Sequence, residues 1–211
     1  MIIALNEKSE RIKATPGVRA YCPNCNELLI PKCGEIKVHH FSHKGENDCD
    51  IWGEESEWHR NWKNLFPIDY QEKWMDSHRA DVKLPNGRII EFQSSAIKPS
   101  VIREREQFYK DMIWVLKGED FDSNFDLRNK GNYFTFRWKY PRSSWWSAQK
   151  PIFIDFSDSM VPPRNHETME DYRGIFHVKK IYNSKYCGGW GVMIDKNDFL
   201  RINGINNKNE L

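Results

Sequence analysis

The sequence predicts an α/β fold, in which helices pack on a strand core and a small metal-binding segment precedes it. Three observations carry this. Arg79-Ala80-Asp81-Val82, a turn at Pro85-Asn86-Gly87 and Ile89-Ile90-Glu91-Phe92-Gln93 form two short strands joined tightly. Met112-Ile113-Trp114-Val115-Leu116 is a continuous apolar run, the pattern of a strand buried on both faces. With a helical segment before the hairpin and another after it, the order helix, hairpin, helix, buried strand implies a right-handed β-α-β crossover. Cysteines and histidines crowd residues 22–43, ahead of this core.

Each element follows in chain order. Met1-Ile2-Ile3-Ala4-Leu5 has no basic region before a longer apolar stretch, so it is expected to be a first strand rather than a secretory signal. Cys22-Pro23-Asn24-Cys25 is a tight turn that aims two thiolates at one point, and His40 with His43 can complete a tetrahedral zinc site. His39 competes, since His39-x-x-x-His43 also has ligand spacing, and Cys33 or Cys49 could replace one histidine. Four filled positions make a structural zinc site. Five cysteines, an odd number with one Cys-x-x-Cys pair, favour metal binding in a reducing cytoplasm over a disulfide framework.

Asp50 to Leu65 reads as a helix with Trp58, Trp62 and Leu65 on an apolar stripe. Glu55, His59 and Lys63 align on a second face, with Glu55 and Lys63 too far apart along a helix to pair directly. In the hairpin, a three-residue loop with Gly87 at φ > 0 sets Asp81 opposite Glu91, and Gln93 shares their face. A two-residue loop would shift the register and separate the carboxylates. Val82, Ile90 and Phe92 then point to the core. Two carboxylates and an amide oxygen form a hard-oxygen set suited to Mg²⁺ or Mn²⁺. Ser94–Ser100 is a loop containing Pro99, and Val101–Asp111 is the second helix.

Between Asp126 and Asp155 no acidic residue occurs, while Arg128, Lys130, Arg137, Lys139, Arg142 and Lys150 are interleaved with aromatic residues. Such composition suits phosphates and unstacked bases. The competing expectation is that Phe134, Phe136 and Trp138 alternate as the core face of a strand. Lys185–Gly191 is expected to be a hairpin turn, Phe199–Ile205 a final strand, and Asn206–Leu211 a frayed end. A net charge of +2 does not by itself announce a nucleic-acid binder, and no stretch of about 18 apolar residues indicates a membrane helix.

Cys22-Pro23-x-Cys25, Lys32-x-Gly34, His40-Phe41-Ser42-His43, Glu55-Ser56-x-x-His59-x-x-x-Lys63, Arg79-Ala80-Asp81-Val82, Ile90-Glu91-Phe92-Gln93-x-Ser95 and Arg105-x-x-x-Tyr109 together resemble the CoiA-like competence protein family. The resemblance covers roughly residues 20–116 in consistent order. It implies a zinc-finger-like segment in 1–48, a nuclease core of the PD-(D/E)xK (restriction-endonuclease-like) class in 49–120, and a basic, aromatic β-rich extension in 121–211. It further implies a metal held by Asp81 and Glu91, with Glu55 as a further ligand or water-positioning group. Gln93 stands where the family's usual motif lysine would be, so Lys83, a second metal or bulk water must replace that cation.

The expected function is a Mg²⁺- or Mn²⁺-dependent phosphodiesterase acting on single- or double-stranded DNA in the cytoplasm, with a protein partner or second copy left open. Asp81 and Glu91 bind the metal, Gln93 orients water, and Glu55 and His59 ligate or exchange protons. Arg105, Lys63, Lys83, Arg137, Lys139 and Arg142 are the candidate phosphate contacts, Arg105 having an ion pair to Glu55 or Asp81 as its alternative. The rival expectation is a catalytically silent nucleic-acid-binding or scaffold protein on the same fold. A catalytic zinc is disfavoured, because the chain lacks the His, Glu and Cys spacings of peptidases and deaminases.

Overall fold

The computed structural model describes residues 1–45, 49, 55–139, 143–157, 174–182 and 187–205. The chain forms two compact units, Met1–Lys83 and Leu84–Leu211.

The first unit opens with short antiparallel strands: β1 (Ile3–Leu5), β2 (Arg11–Lys13), β3 (Ala20–Tyr21), β4 (Leu28–Lys32) and β5 (His40–Ser42), ordered β2-β1-β3-β4-β5. The first strand sits where the sequence predicts. Strands this short bury little on their own. Their core is a cluster of Ala4, Ala14, Ala20, Leu29 and Phe41 that also includes the thiols of Cys22 and Cys49.

Helix α1 (Glu57–Asn64) begins at Ser56, whose hydroxyl accepts the His59 amide and so satisfies one free N–H of the first turn. The predicted helix is correct in its second half. Glu55, however, precedes the cap and is not held to helical spacing, and residues 50–54 lie outside the described residues. A hairpin of β6 (Gln71–Met75) and β7 (His78–Lys83) closes the unit, with Trp74 opposite Arg79. On β7, Ala80 and Val82 are buried, while Asp81 and Lys83 take the alternate face.

The second unit begins with the turn that the sequence singled out. The Leu84 N–H donates to Arg88 O, the Gly87 N–H donates to Leu84 O, and Gly87 has φ +90°. Pro85, Asn86 and Gly87 are therefore a three-residue loop, with glycine where L side chains are strained. Strand β8 (Ile89–Gln93) runs parallel to β9 (Met112–Lys117), and α2 (Pro99–Tyr109) is the crossover between them. The helix starts two residues earlier than expected because Pro99 occupies its first turn, where no N–H is needed. The apolar run of β9 is buried along Met112–Leu116, as a doubly covered strand should be.

Beyond β9 come β10 (Phe125–Asn129), β11 (Phe134–Trp138), β12 (Ile152–Asp155), β13 (Ile175–Tyr182), β14 (Gly188–Ile194) and α3 (Lys196–Ile202). Within this unit the strand order is β10-β11-β14-β13-β12-β9-β8, with β9 parallel to both β12 and β8 and the remaining pairs antiparallel. The sheet is thus mixed and the protein is α/β, as predicted. Phe134, Phe136 and Trp138 face inward into an aromatic core with Phe121, Phe125 and Phe176.

Two sequence expectations change in this unit. In the expected turn Lys185–Gly191, Gly188–Gly191 belong to strand β14 (Gly188–Ile194), and residues 185 and 186 lie outside the described residues. A Cβ on Gly189 would meet Lys180 O at 1.9 Å and the Phe136 ring at 2.8 Å, so glycine here lets an aromatic ring lie against the backbone. Phe199–Ile205 is not a strand. Asp195 caps α3 by accepting the Asn197 amide, and Phe199 and Leu200 turn into the core.

Candidate metal centre and carboxylate cluster

The Cys-Pro-Asn-Cys turn is built by its own backbone. The Cys22 N–H donates to Glu27 O at 2.9 Å and the Asn26 N–H returns to Cys22 O at 3.0 Å, with Asn26 in the left-handed region. This brings Cys22 and Cys25 together, and the chain delivers His43 and Cys49 to them. One donor atom from each of these four residues lies within 4.8 Å of the other three. Tetrahedral zinc with thiolate ligands at about 2.3 Å places sulfurs about 3.8 Å apart, so the set fits a closed Cys₃His site. Cys25 Sγ already lies 3.3 Å from His43 Nε2, and the Asn24 backbone N–H and side-chain amide point at Cys22 and Cys49 sulfur. Donors aimed at sulfur in this way suit thiolates.

Three of the four predicted ligands are therefore gathered, and His40 is not. Strand β5 turns Phe41 inward and leaves His40 on the opposite face, and His43, just after the strand, is buried. His40 Nδ1 is instead 2.8 Å from Val38 O. Cys49, one of the alternatives in the sequence, takes its place. Exposed His39 and half-buried Cys33 lie outside the group. Burial pushes the Cys22 thiol up to about 12. For Cys25 burial acts in the same direction, but the Glu27 amide and His43 outweigh it and lower the value.

The polar face of α1 feeds a second cluster in the same unit. Lys63, only 2 % exposed, donates to Glu55 Oε1 at 2.5 Å and to Glu72 Oε1 at 2.7 Å. The pair that helical spacing forbids thus exists, because Glu55 stands before the cap. Lys63 is consequently a buried ion-pair partner and not an exposed phosphate contact. Burial lowers its pKa, yet Glu72, Glu55 and Asp81 together raise it, which puts Asp81 within electrostatic reach. His59 Nδ1 bonds Ser56 Oγ at 2.9 Å. Glu55 Oε2 is buried with no hydrogen-bond partner.

Glu72 was missed by sequence reasoning. It is 2 % exposed, sits at φ +46°, and faces Arg79 at 3.6 Å as well as the amides of Ile2 and Ile3 at 3.3 and 3.4 Å. Burial raises its carboxyl, but Lys63 and then Arg79 outweigh that and hold it at about 2. The only available signal was a charge in a short segment without clear alternation.

In the second unit, Glu91 is 1 % exposed and forms an ion pair with Arg105 on α2. Arg105 is thus an ion-pair partner of Glu91, a carboxylate that the sequence reading had not named for it. The Gln93 amide donates to Ser95 O and Oγ at 3.0 Å, which fixes its orientation and leaves Oε1 as an acceptor. Arg137 is exposed on β11, and Lys139 is 3.9 Å from Asp126. Lys83 is half-buried on the Asp81 face of β7. Arg142 lies outside the described residues.

Residues 5–52 match the family model described as competence protein CoiA, N-terminal domain. No curated protein and no solved structure gives a significant match. Among the described residues no helix is long and apolar enough to cross a membrane.

Proposed function

We propose, starting from the match of residues 5–52 to the CoiA N-terminal domain model, that the chain is a divalent-metal-dependent nuclease of the PD-(D/E)xK class acting on DNA. The observation that supports this most is the three-residue turn with Gly87 at φ +90°, the loop length on which the Asp81–Glu91 hypothesis depends. Asp81 and Glu91 are the carboxylates for Mg²⁺ or Mn²⁺, an oxygen donor set of the kind those ions take. Such an ion, when bound, would lower the pKa of its water so that hydroxide is available as nucleophile, and would offset charge on the scissile phosphate.

The remaining roles fall to the chain's own groups. Gln93 Oε1 accepts a hydrogen bond from water and orients it. Glu55 Oε2, buried and unpartnered, is a ready acceptor for a second water or a cation. His59, with Nδ1 on Ser56 Oγ, is the imidazole proposed to exchange protons. The cysteine cluster holds structural zinc through Cys22, Cys25, His43 and Cys49.

One observation favours the silent alternative. Arg105 neutralises Glu91, and a carboxylate satisfied by arginine has less need of a cation. A cleavage assay decides between the two. Labelled single-stranded and duplex DNA are incubated with Mg²⁺ or Mn²⁺ and the wild-type chain, Asp81→Ala or Glu91→Ala. Metal-dependent cutting that both substitutions abolish supports the nuclease. Binding without cutting under either metal transfers the chain to the nucleic-acid-binding class.

A further inference from the structure

We infer that the outer face of β10-β11-β14-β13 is a platform for single-stranded nucleic acid, where bases stack on aromatic rings and cations hold the backbone. The inference rests on the nucleic-acid part of the proposed function and not on cleavage.

Sheet register assembles the surface. Arg128 is opposite Thr135, Thr135 opposite Trp190, and Trp190 opposite Lys180, so one straight row crosses four strands. In the next row Asp126 is opposite Arg137, Arg137 opposite Gly188, and Gly188 opposite Tyr182. Directly paired residues project to the same side, so both rows share a face. The opposite side carries Leu127, Phe136 and Gly189, which are buried. The aromatic residues of this sheet therefore divide cleanly. Phe134, Phe136 and Trp138 belong to the core, and the rings available to a ligand are Trp190, Tyr182 and Tyr133.

These rings are presented rather than packed away. Tyr182 is 48 % exposed and Tyr133 41 %, and Tyr133 stands edge-on to half-buried Trp190 with centroids 5.9 Å apart. Trp190 projects outward between Gly189 and Gly191, whose missing side chains serve the inner face. Gly188 leaves no side chain between Arg137 and Tyr182 in that row. Lys180 Nζ lies 5.4 Å from the Tyr182 ring centroid. Arg128 and Arg137 are exposed on the same face.

Charge and shape choose the occupant. The two rows contain three cations and one carboxylate, Asp126, which suits a polyanion. Duplex DNA offers phosphates but keeps its base faces stacked, so it would leave the aromatic rings unused. An unpaired strand presents both, and aromatic stacking tolerates any base.

The test measures binding of fluorescently labelled fifteen-residue oligo-dT to the full chain by anisotropy, without added Mg²⁺ or Mn²⁺. It is carried out in an Asp81→Ala, Glu91→Ala background so that cleavage cannot intervene. Expected is preference for oligo-dT over a duplex of equal length, and quenching of tryptophan fluorescence. Trp190→Phe should keep most of the affinity, whereas Trp190→Leu and Tyr182→Ala should each lower it roughly tenfold. Arg128→Ala with Lys180→Ala should lower affinity and reduce the slope of log affinity against log salt by about 1.4, near 0.7 for each contact on a single strand.

Tyr182, Arg128 and Lys180 are exposed, so those variants carry the test if Trp190→Leu fails to fold by circular dichroism. Binding unchanged in all of them overturns the inference, as does no binding at all or equal affinity for the duplex. Equal competition by inorganic polyphosphate, with no loss in the aromatic variants, reduces the face to a charge patch and also overturns it.

Discussion

Replacing Lys63 with methionine removes the central cation of a buried cluster, and its cost can be worked from the geometry. Lys63 bridges Glu55 at 2.5 Å and Glu72 at 2.7 Å, and both Lys63 and Glu72 are 2 % exposed. Glu72 would be raised by burial, but Lys63 first and Arg79 second hold it at about 2 instead of 4.5. At about 1.4 kcal/mol per pH unit, that depression is worth roughly 3 kcal/mol. An unpaired buried charge costs about 3–5 kcal/mol, and Arg79 at 3.6 Å remains to moderate it. Urea unfolding at pH 7, followed by tryptophan fluorescence, should therefore show Lys63→Met less stable by about 3 kcal/mol. The double variant with Glu72→Gln should recover part of the loss, because no charge is then stranded.

The sign of the pH dependence follows from the same group. A depressed carboxyl contributes fully above its unfolded value near 4.5 and loses that contribution as pH falls toward about 2. Wild-type stability should drop across that window, and Glu72→Gln should flatten the drop. A Lys63→Met variant within about 1 kcal/mol of wild type at pH 7 would refute the coupling.

Three further outcomes are expected. Elemental analysis of purified protein should find zinc bound one to one, retained in His40→Ala and lost in Cys49→Ser; the reverse pattern would restore His40 as a ligand. Gly189→Ala should destabilise by about 1–3 kcal/mol or more in thermal unfolding, since its Cβ would meet Lys180 O at 1.9 Å, and equal stability would contradict the packing of Phe136 against β14. Burial, with Lys179 adding to it, lowers His177 to about 4 from 6.5, so it folds neutral. Its contribution is present above pH 6.5 and is lost as pH falls toward 4, and an NMR titration midpoint near 6.5 would remove the basis for that.

The legible parts of this chain were those with a long or periodic signal. Met112–Leu116 announced a covered strand by its length of apolar residues, and Pro85-Asn86-Gly87 announced its turn by the one residue that tolerates φ +90°. Cys22-x-x-Cys25 is a local motif and located the donor group that could hold a metal. The fourth ligand was harder because it depends on strand parity at β5 and on a distant cysteine, neither of which is a local pattern. Glu72 stayed hidden because Gln71-Glu72-Lys73 has the composition of a wet loop, and its burial is set by Lys63 from another element. The Glu55–Lys63 pair was excluded by assuming helix where Ser56 begins one. Likewise, Phe199–Ile205 looked strand-like until Asp195 is recognised as a cap.

Cys22 and Cys49 belong both to the donor group and to the apolar cluster under β1–β5. One ion there would tie residues 22, 25, 43 and 49 into a closed loop, acting on the unfolded chain as a cross-link does. Strands of two to five residues would then owe their persistence to a clip rather than to core size. That clip is chemically reversible. The same thiols, within 4.8 Å of each other, are near enough to be oxidised to a disulfide when the ion leaves. Oxidant and chelator should therefore act together on this segment, the second exposing what the first attacks.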